Sequence, residues 1–91
     1  MPRPEAPRRI RGRFAADYFK PAGIQLRQLK EIALRSDEVE ALRLKNCQKF
    51  DQTTAAAKMK ISQSTFQRIL ARAHEKIATA ICRGWAIRIE K

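Results

Sequence analysis

One apolar stripe in the second half of this 91-residue chain constrains its fold more than any other feature. The members of the stripe recur at intervals of three and four residues, which places them on one side of an α-helix. They are Phe66, Ile69, Leu70, Ala73, Ile77 and Ile81. Ser62 can cap the start of this helix with its hydroxyl, and Gly84 can end it. We therefore expect a mainly α-helical fold, built around one long helix in a single small domain.

The residues before this stripe predict a helix-turn-helix over residues 51–71. Asp51 can cap a helix of two turns, and Ala56 lies where the two helices of such a motif touch and require a small side chain. Ile61 follows the turn, and its side chain can pack where the two helices cross. Lys60 occupies the turn position, where a left-handed backbone favours glycine, and the penalty for lysine is about 1 kcal/mol. This penalty does not exclude the turn, and Lys60 adds a positive charge beside it.

Three other segments complete the expected fold. Ser36 precedes a cluster of acidic residues and predicts the capped start of a helix of about three turns. Residues 24–34 carry apolar side chains without a clear period, so a short helix and a short strand remain equally open. The last seven residues alternate, with Ile87 and Ile89 on one side, as in a short strand. This strand could pair across the two-fold axis of a homodimer or with the N-terminal part of its own chain.

Residues 1–23 are predicted to form an extended basic arm, and residues 24–91 are predicted to form the helical DNA-binding domain. Four prolines oppose helix formation in the arm. Most of its positive charge comes from Arg3, Arg8, Arg9, Arg11 and Arg13. We expect the rings of Phe14, Tyr18 and Phe19 to dock on the helical body.

The composition narrows the function classes. The net charge of +11 indicates an acidic partner. An enzyme is not expected, because the chain lacks a phosphate-cradling glycine loop and a plausible nucleophile and base pair.

Cys47 and Cys82 are far apart in the sequence, which suggests neither a disulfide nor a metal site, and we expect no metal ion or other cofactor. Free cysteines are usually buried, so we expect two small buried side chains in a reducing cytosol. His74 is interpreted as a residue at the boundary of the apolar stripe. The charged start does not resemble a signal peptide and no apolar run could span a membrane, so a cytoplasmic, nucleoid-associated protein without a membrane partner is expected.

The start of the second helix of the motif is the predicted contact with double-stranded DNA. Glutamine can pair bidentately with adenine and arginine with guanine, so Gln63, Gln67 and Arg68 are the predicted base-reading residues. Contacts to phosphate or sugar are predicted for Lys60, Ser62, Ser64, Thr65 and Arg72. The arginines of the arm are predicted to follow phosphates or to enter the minor groove.

Six motifs spread along nearly the whole chain carry a family resemblance. They are Met1–Pro4, Pro7–Arg9, Tyr18–Gly23, Glu40–Leu44, Ser62–Leu70 and Ala86–Glu90. Together they resemble the domain of unknown function 134 family of prokaryotes. This resemblance implies a DNA-binding protein with a helix-turn-helix similar to region 4 of sigma factors.

The chain departs from the pattern of that family at three places. Lys60 replaces a glycine that relatives often have in the turn. Arg11 replaces a cysteine that many of them have, which argues against a redox-sensing or metal-sensing role. Thr53 and Thr54 replace acidic residues, so the first helix of the motif repels phosphate less.

The residues and the resemblance together lead us to expect sequence-specific binding of duplex DNA and a role as a transcriptional regulator. One alternative is a protein-interaction module that binds RNA polymerase or another factor through its helices. Another is an RNA binder whose Phe14, Tyr18 and Phe19 stack on unpaired bases.

Overall fold

The computed structural model describes residues 17–90, which form three α-helices and a three-stranded sheet. In chain order the elements are strand β1 (Tyr18–Phe19), a 3-10 turn (Leu26–Gln28), strand β2 (Glu31–Leu34), helix α1 (Ser36–Leu42) continued by a π-helical turn (Arg43–Cys47), helix α2 (Gln52–Met59), helix α3 (Gln63–Arg83) and strand β3 (Ala86–Ile89). The fold is mainly α-helical with a long C-terminal helix and a short C-terminal strand, which confirms the predicted fold class. No helix within residues 17–90 combines the length and the apolar character needed to cross a membrane.

Helix α3 begins and ends where the sequence predicts. The Ser62 hydroxyl oxygen accepts a hydrogen bond from the backbone N–H of Thr65 at 3.1 Å. Gly84, with a φ of 71°, ends the helix in the left-handed conformation that glycine adopts at little cost. With a rise of 1.5 Å per residue, the 21 residues of α3 span about 30 Å. This one element therefore runs through most of the molecule.

The turn between α2 and α3 also has the predicted form. A carboxylate oxygen of Asp51 accepts from the backbone N–H of Thr54 at 2.7 Å and caps α2. Lys60 is left-handed, with a φ of 61° and a ψ of 43°. Its backbone N–H donates to Ala57, and the N–H of Ile61 donates to Ala56, both at 3.1 Å. These two bonds form a Schellman motif, which satisfies the last carbonyls of α2 and offsets the strain at Lys60.

One hydrophobic core lies behind this turn. The Phe66 side chain is fully buried there, and its removal from water stabilises the fold by about 1.5–3 kcal/mol. Ala55 and Ala56 are also buried, and their small side chains let α2 approach α3 closely. Ile61 packs against the edge of the core. The buried cluster contains Ala41, Leu44, Ala55, Ala56, Phe66, Ile69 and Leu70.

The sheet answers two questions that the sequence leaves open. Residues 24–34 contain both alternatives, because a 3-10 turn precedes the four-residue strand β2. Strand β3 lies at the centre of the sheet, antiparallel to β1 and parallel to β2. The C-terminal strand therefore pairs with the predicted arm of its own chain, through Tyr18 opposite Arg88 and Phe19 opposite Ile87. The helices form the crossover that the parallel pairing of β2 and β3 requires.

Helix α1 is capped differently from the prediction. It begins at Ser36, but the backbone N–H of Arg35 donates to a carboxylate oxygen of Glu38 at 2.9 Å. The cap bond is thus supplied by an acid three residues further along the chain, and not by the Ser36 hydroxyl. The helical path then continues through the π-helical turn as far as Cys47.

Three side chains expected to be buried are exposed. Cys47 lies at the end of the π-helical turn and Cys82 on the outer side of α3, so the prediction of two buried cysteines is wrong. Ile81 is 73 % exposed although it continues the apolar stripe. Both the third and the fourth residue after Ile77 fit the helical period, and Ala80 is the one that packs inward.

Candidate nucleic-acid interface

The first two turns of α3 project polar side chains away from the body of the molecule. Burial of Phe66, Ile69 and Leu70 sets the rotation of the helix about its axis. The positions between them therefore face outward, and Gln63, Ser64, Gln67 and Arg68 are all exposed, as predicted, while Thr65 is half-buried.

Hydroxyl groups form a small network at the N-terminus of α3. The Ser62 hydroxyl caps the helix and also donates to the Thr65 hydroxyl at 2.9 Å. The Ser64 hydroxyl oxygen lies 3.3 Å from the Ser62 hydroxyl oxygen. The Arg68 guanidinium reaches back and donates to the Thr65 hydroxyl at 3.4 Å. Ser62 and Thr65 thus have structural roles at the helix start, while Arg68 keeps further N–H groups for a ligand.

Two side chains of α2 touch this polar surface. Gln67 donates from its side-chain nitrogen to the side-chain oxygen of Gln52 at 2.8 Å. The Thr53 hydroxyl donates to the side-chain oxygen of Gln63 at 3.3 Å. Sequence reasoning missed Gln52, because its partner is 15 residues away and neither helix alone indicates the contact.

A buried acid of α1 forms ion pairs with two basic side chains in the middle of α3. Glu38 is fully buried, and the Lys76 ammonium donates both to its carboxylate and to the Ala33 carbonyl at 2.8 Å. Arg72, a predicted phosphate contact, forms a longer ion pair with the same acid: its guanidinium lies 3.7 Å from the second carboxylate oxygen. Glu38 and Lys76 were not recognised from the sequence, where they look like ordinary charged helix residues. Half of the Arg72 side chain remains exposed, so it can still meet a second anion.

The surface around the motif is basic. No Asp or Glu occurs between residues 52 and 74, whereas Lys58, Lys60, Arg68 and Arg72 all lie in this segment. Lys60 is exposed in the turn that leads into α3. The N-terminal end of α3 adds a partial positive charge to the same region.

Asp51, at the edge of this basic segment, is tied to the cap of α2. The backbone N–H of Thr54, together with its hydroxyl, lowers the pKa of Asp51 because both donate to the carboxylate form. The acid therefore stays ionised and engaged with the start of α2.

The predicted arm is described only at its C-terminal end. Arg3, Arg8, Arg9, Arg11, Arg13 and Phe14 lie outside the described residues. The Tyr18 hydroxyl donates to Glu31 at 2.7 Å, and Arg88 donates to the other oxygen of the same carboxylate at 3.1 Å. These bonds lower the pKa of Glu31, and the bond to Glu31 raises the pKa of Tyr18. Tyr18 is therefore docked on the sheet, away from α2 and the start of α3.

The histidine and both cysteines are exposed. His74 is exposed, with its ring nitrogen Nε2 3.0 Å from the side-chain oxygen of Asn46. Residues 17–90 contain no group of three or more His, Cys, Asp or Glu side chains that could hold a metal ion.

A left-handed turn between two helices, a projecting polar helix start and a basic surface define a small basic helix-turn-helix protein. The chain belongs to the family described as "Protein of unknown function DUF134", which matches residues 1–91. No solved structure matches the chain significantly.

Three bacterial relatives illustrate this membership. A UPF0251 protein of Moorella thermoacetica is 46% identical over 90 residues, which cover 99% of this chain and 60% of the relative. The UPF0251 protein of Halothermothrix orenii is 48% identical, with 99% and 67% covered, and that of Desulforudis audaxviator is 49% identical, with 99% and 59% covered. The chain thus spans about three fifths to two thirds of the length of these relatives.

Proposed function

We propose that this protein binds duplex DNA sequence-specifically through the first turns of α3 and acts as a transcriptional regulator. One observation carries the proposal: Gln63, Gln67 and Arg68 project together from a segment that contains no acid between residues 52 and 74. In a bacterial cell, as the relatives suggest, such a protein would work at the nucleoid in the cytoplasm.

The dimensions and chemistry of α3 suit the major groove. An α-helix with its side chains is about 10–12 Å across, and the major groove of B-DNA is about 12 Å wide. The amide groups of Gln63 and Gln67 offer the donor and acceptor pair that adenine requires, and Arg68 offers the paired donors that guanine requires.

Neighbouring cations would hold the DNA backbone. Lys60 lies in the turn before α3, and the exposed half of Arg72 lies one turn beyond Arg68. Their contacts would be independent of sequence and would weaken as salt rises, because each phosphate contact releases counterions from the DNA.

The test is selection of bound sequences from a randomised duplex pool at low and near-physiological salt. We expect one motif to be enriched at both salt concentrations. Arg68→Ala should then weaken binding to that motif by about 1–3 kcal/mol and relax one base position. Arg27→Ala removes the same charge from an exposed residue of the 3-10 turn and serves as the matched control.

Two results would contradict the proposal. Binding without an enriched motif, lost as salt rises, would leave only a basic surface. An equal loss on all duplexes for Arg68→Ala would make that residue a phosphate contact.

A second candidate function, binding to RNA polymerase or another protein, is favoured by an apolar groove at the far end of α3. Phe19, Ile81, Trp85 and Ile87 line this groove of about 280 Å³, and Phe19 is 54 % exposed. Purified RNA polymerase that binds the protein tightly, and loses that binding with Ile81→Lys, would support this function if the duplex selection yields no motif.

A further inference from the structure

We propose that Gln52 is a positioning residue that determines specificity, because it orients Gln67 to read adenine at one base position. The inference rests on the proposed DNA-binding function and adds to it a residue of the first helix of the motif.

The bond between the two side chains joins two rigid elements. Gln52 is the first residue of α2, directly after the Asp51 cap, and its side chain is half-buried. Gln67 lies one turn into α3, beside the fully buried Phe66. The packing of the two helices brings these side chains within reach of each other, and the Gln67 nitrogen lies 2.8 Å from the Gln52 oxygen.

The hydrogen bond to Gln52 uses one N–H of the Gln67 amide group. A glutamine side chain has two N–H donors and an oxygen that can accept. With one N–H bound to Gln52, Gln67 keeps one donor and one acceptor in a defined order. Adenine presents the complementary pair in the major groove, an acceptor at N7 and a donor at N6. Guanine presents two acceptors at the equivalent edge, which leaves the Gln67 oxygen facing another oxygen.

Without Gln52, the Gln67 amide group could rotate by half a turn and exchange its donor and acceptor. Such a rotation costs little for an exposed glutamine, because its last torsion is broad. Gln52 opposes this rotation, because its own amide group would have to rotate at the same time to keep the hydrogen bond. Its own N–H groups can meanwhile donate to a phosphate oxygen, which would link the position of the DNA backbone to the reading of the base.

The neighbouring pair in the same interface offers a comparison. Thr53 contacts Gln63 through a longer bond of 3.3 Å, and Thr53 is exposed. A hydroxyl at that distance constrains its partner less. Gln28→Met makes the same change at an exposed residue of the 3-10 turn, outside this interface, so it is the matched control for Gln52→Met.

The experiment uses the full chain and four variants: Gln52→Met, Gln67→Met, the double variant and the control Gln28→Met. Each is put through the duplex selection and then measured by competition between the enriched duplex and one with the adenine replaced. Circular dichroism checks that every variant folds.

We expect Gln67→Met to lose the preference for adenine at one position, by about tenfold. Gln52→Met should reduce the preference at that same position, and the double variant should be no worse than Gln67→Met, because the two residues act as one unit. Gln28→Met should keep the preference. A phosphate contact alone would instead weaken all duplexes equally.

The outcomes separate this inference from the proposed function. A wild-type protein that enriches no motif overturns both. An enriched motif whose adenine preference survives Gln52→Met, or additive losses in the double variant, overturns the inference alone.

Discussion

The two halves of α3 follow one apolar stripe but lie in different surroundings. The first half packs Phe66 and Leu70 into a closed core formed with α1 and α2, and its outer side is polar. The second half packs Ala80 toward the short sheet and leaves Ile81 exposed beside an apolar groove. A constant period along a helix therefore does not imply constant burial, because the neighbouring elements decide how much of the stripe is covered.

The difference between the halves follows from what faces them. Two helices cover the first half over its length. The second half meets strands of two to four residues, and even a four-residue strand is only about 13 Å long, or little more than two turns of helix. The first half of α3 is therefore covered on its inner side by two helices, while the second half borders an open apolar groove.

Truncation of one large apolar side chain in each half should show the largest contrast. Phe66→Ala leaves a cavity in the closed core and should lower the free energy of unfolding by about 3–5 kcal/mol. Ile81→Ala removes an exposed side chain and should change it by less than about 0.5 kcal/mol. Urea unfolding followed by circular dichroism measures both. A cost above about 1 kcal/mol for Ile81→Ala would mean that the apolar groove at the far end of α3 is covered in solution.

The junction between the halves should show an intermediate effect. Lys76→Met removes the charged hydrogen-bond donor of the fully buried Glu38 and leaves the Arg35 backbone N–H, so it should cost about 1–3 kcal/mol of stability. Arg72→Met removes a half-exposed guanidinium 3.7 Å from the same acid and should cost less than about 1 kcal/mol. The same unfolding measurement compares the two variants. Equal losses would show that Glu38 depends on both cations and that Arg72 is held away from a phosphate.

The smallest expected effect concerns the titration of Glu31 in the sheet. Hydrogen bonds from Tyr18 and Arg88 lower the pKa of Glu31, so the folded state favours the ionised carboxylate. Glu31 therefore contributes stability above its ordinary pKa, and this contribution is lost as the pH falls through its lowered value in the folded protein. Tyr18→Phe should move the pKa of Glu31 upward, and the acid onset of unfolding with it.

Asp51 is the internal control for that experiment. Its pKa is lowered by Thr54 at the other end of the molecule, so Tyr18→Phe should leave it unchanged. Titration of the carboxylates followed by NMR would resolve the two acids. A parallel shift of Asp51 would show that the sheet and the cap of α2 titrate as one unit.

Much of the helix-turn-helix was predictable because its signals are local. The caps at Asp51 and Ser62, the end of α3 at Gly84 and the left-handed turn at Lys60 all depend on bonds between residues no more than five positions apart. A helix start or a turn of this kind carries its own chemistry in sequence. The outward direction of Gln63, Gln67 and Arg68 followed from the same period.

The candidate site was predictable only in part, for the opposite reason. Glu38 is separated from Lys76 by 38 positions, and Gln52 from Gln67 by 15. No local pattern distinguishes these residues from solvated side chains, so their partners could not be assigned. The choice of Ala80 over Ile81 as the inward residue was likewise ambiguous in the helical period.

The sequence by itself determined the helices of the motif, their caps and turn, and the basic, polar character of the surface around the start of α3. Tertiary structure alone decided that Glu31–Leu34 and Tyr18–Phe19 flank the C-terminal strand. It also decided that a buried acid holds Lys76, and that Gln52 contacts Gln67. The physical reason is that capping and periodicity act within one or two turns of chain, whereas strand pairing, burial and contacts between helices depend on which distant segments meet.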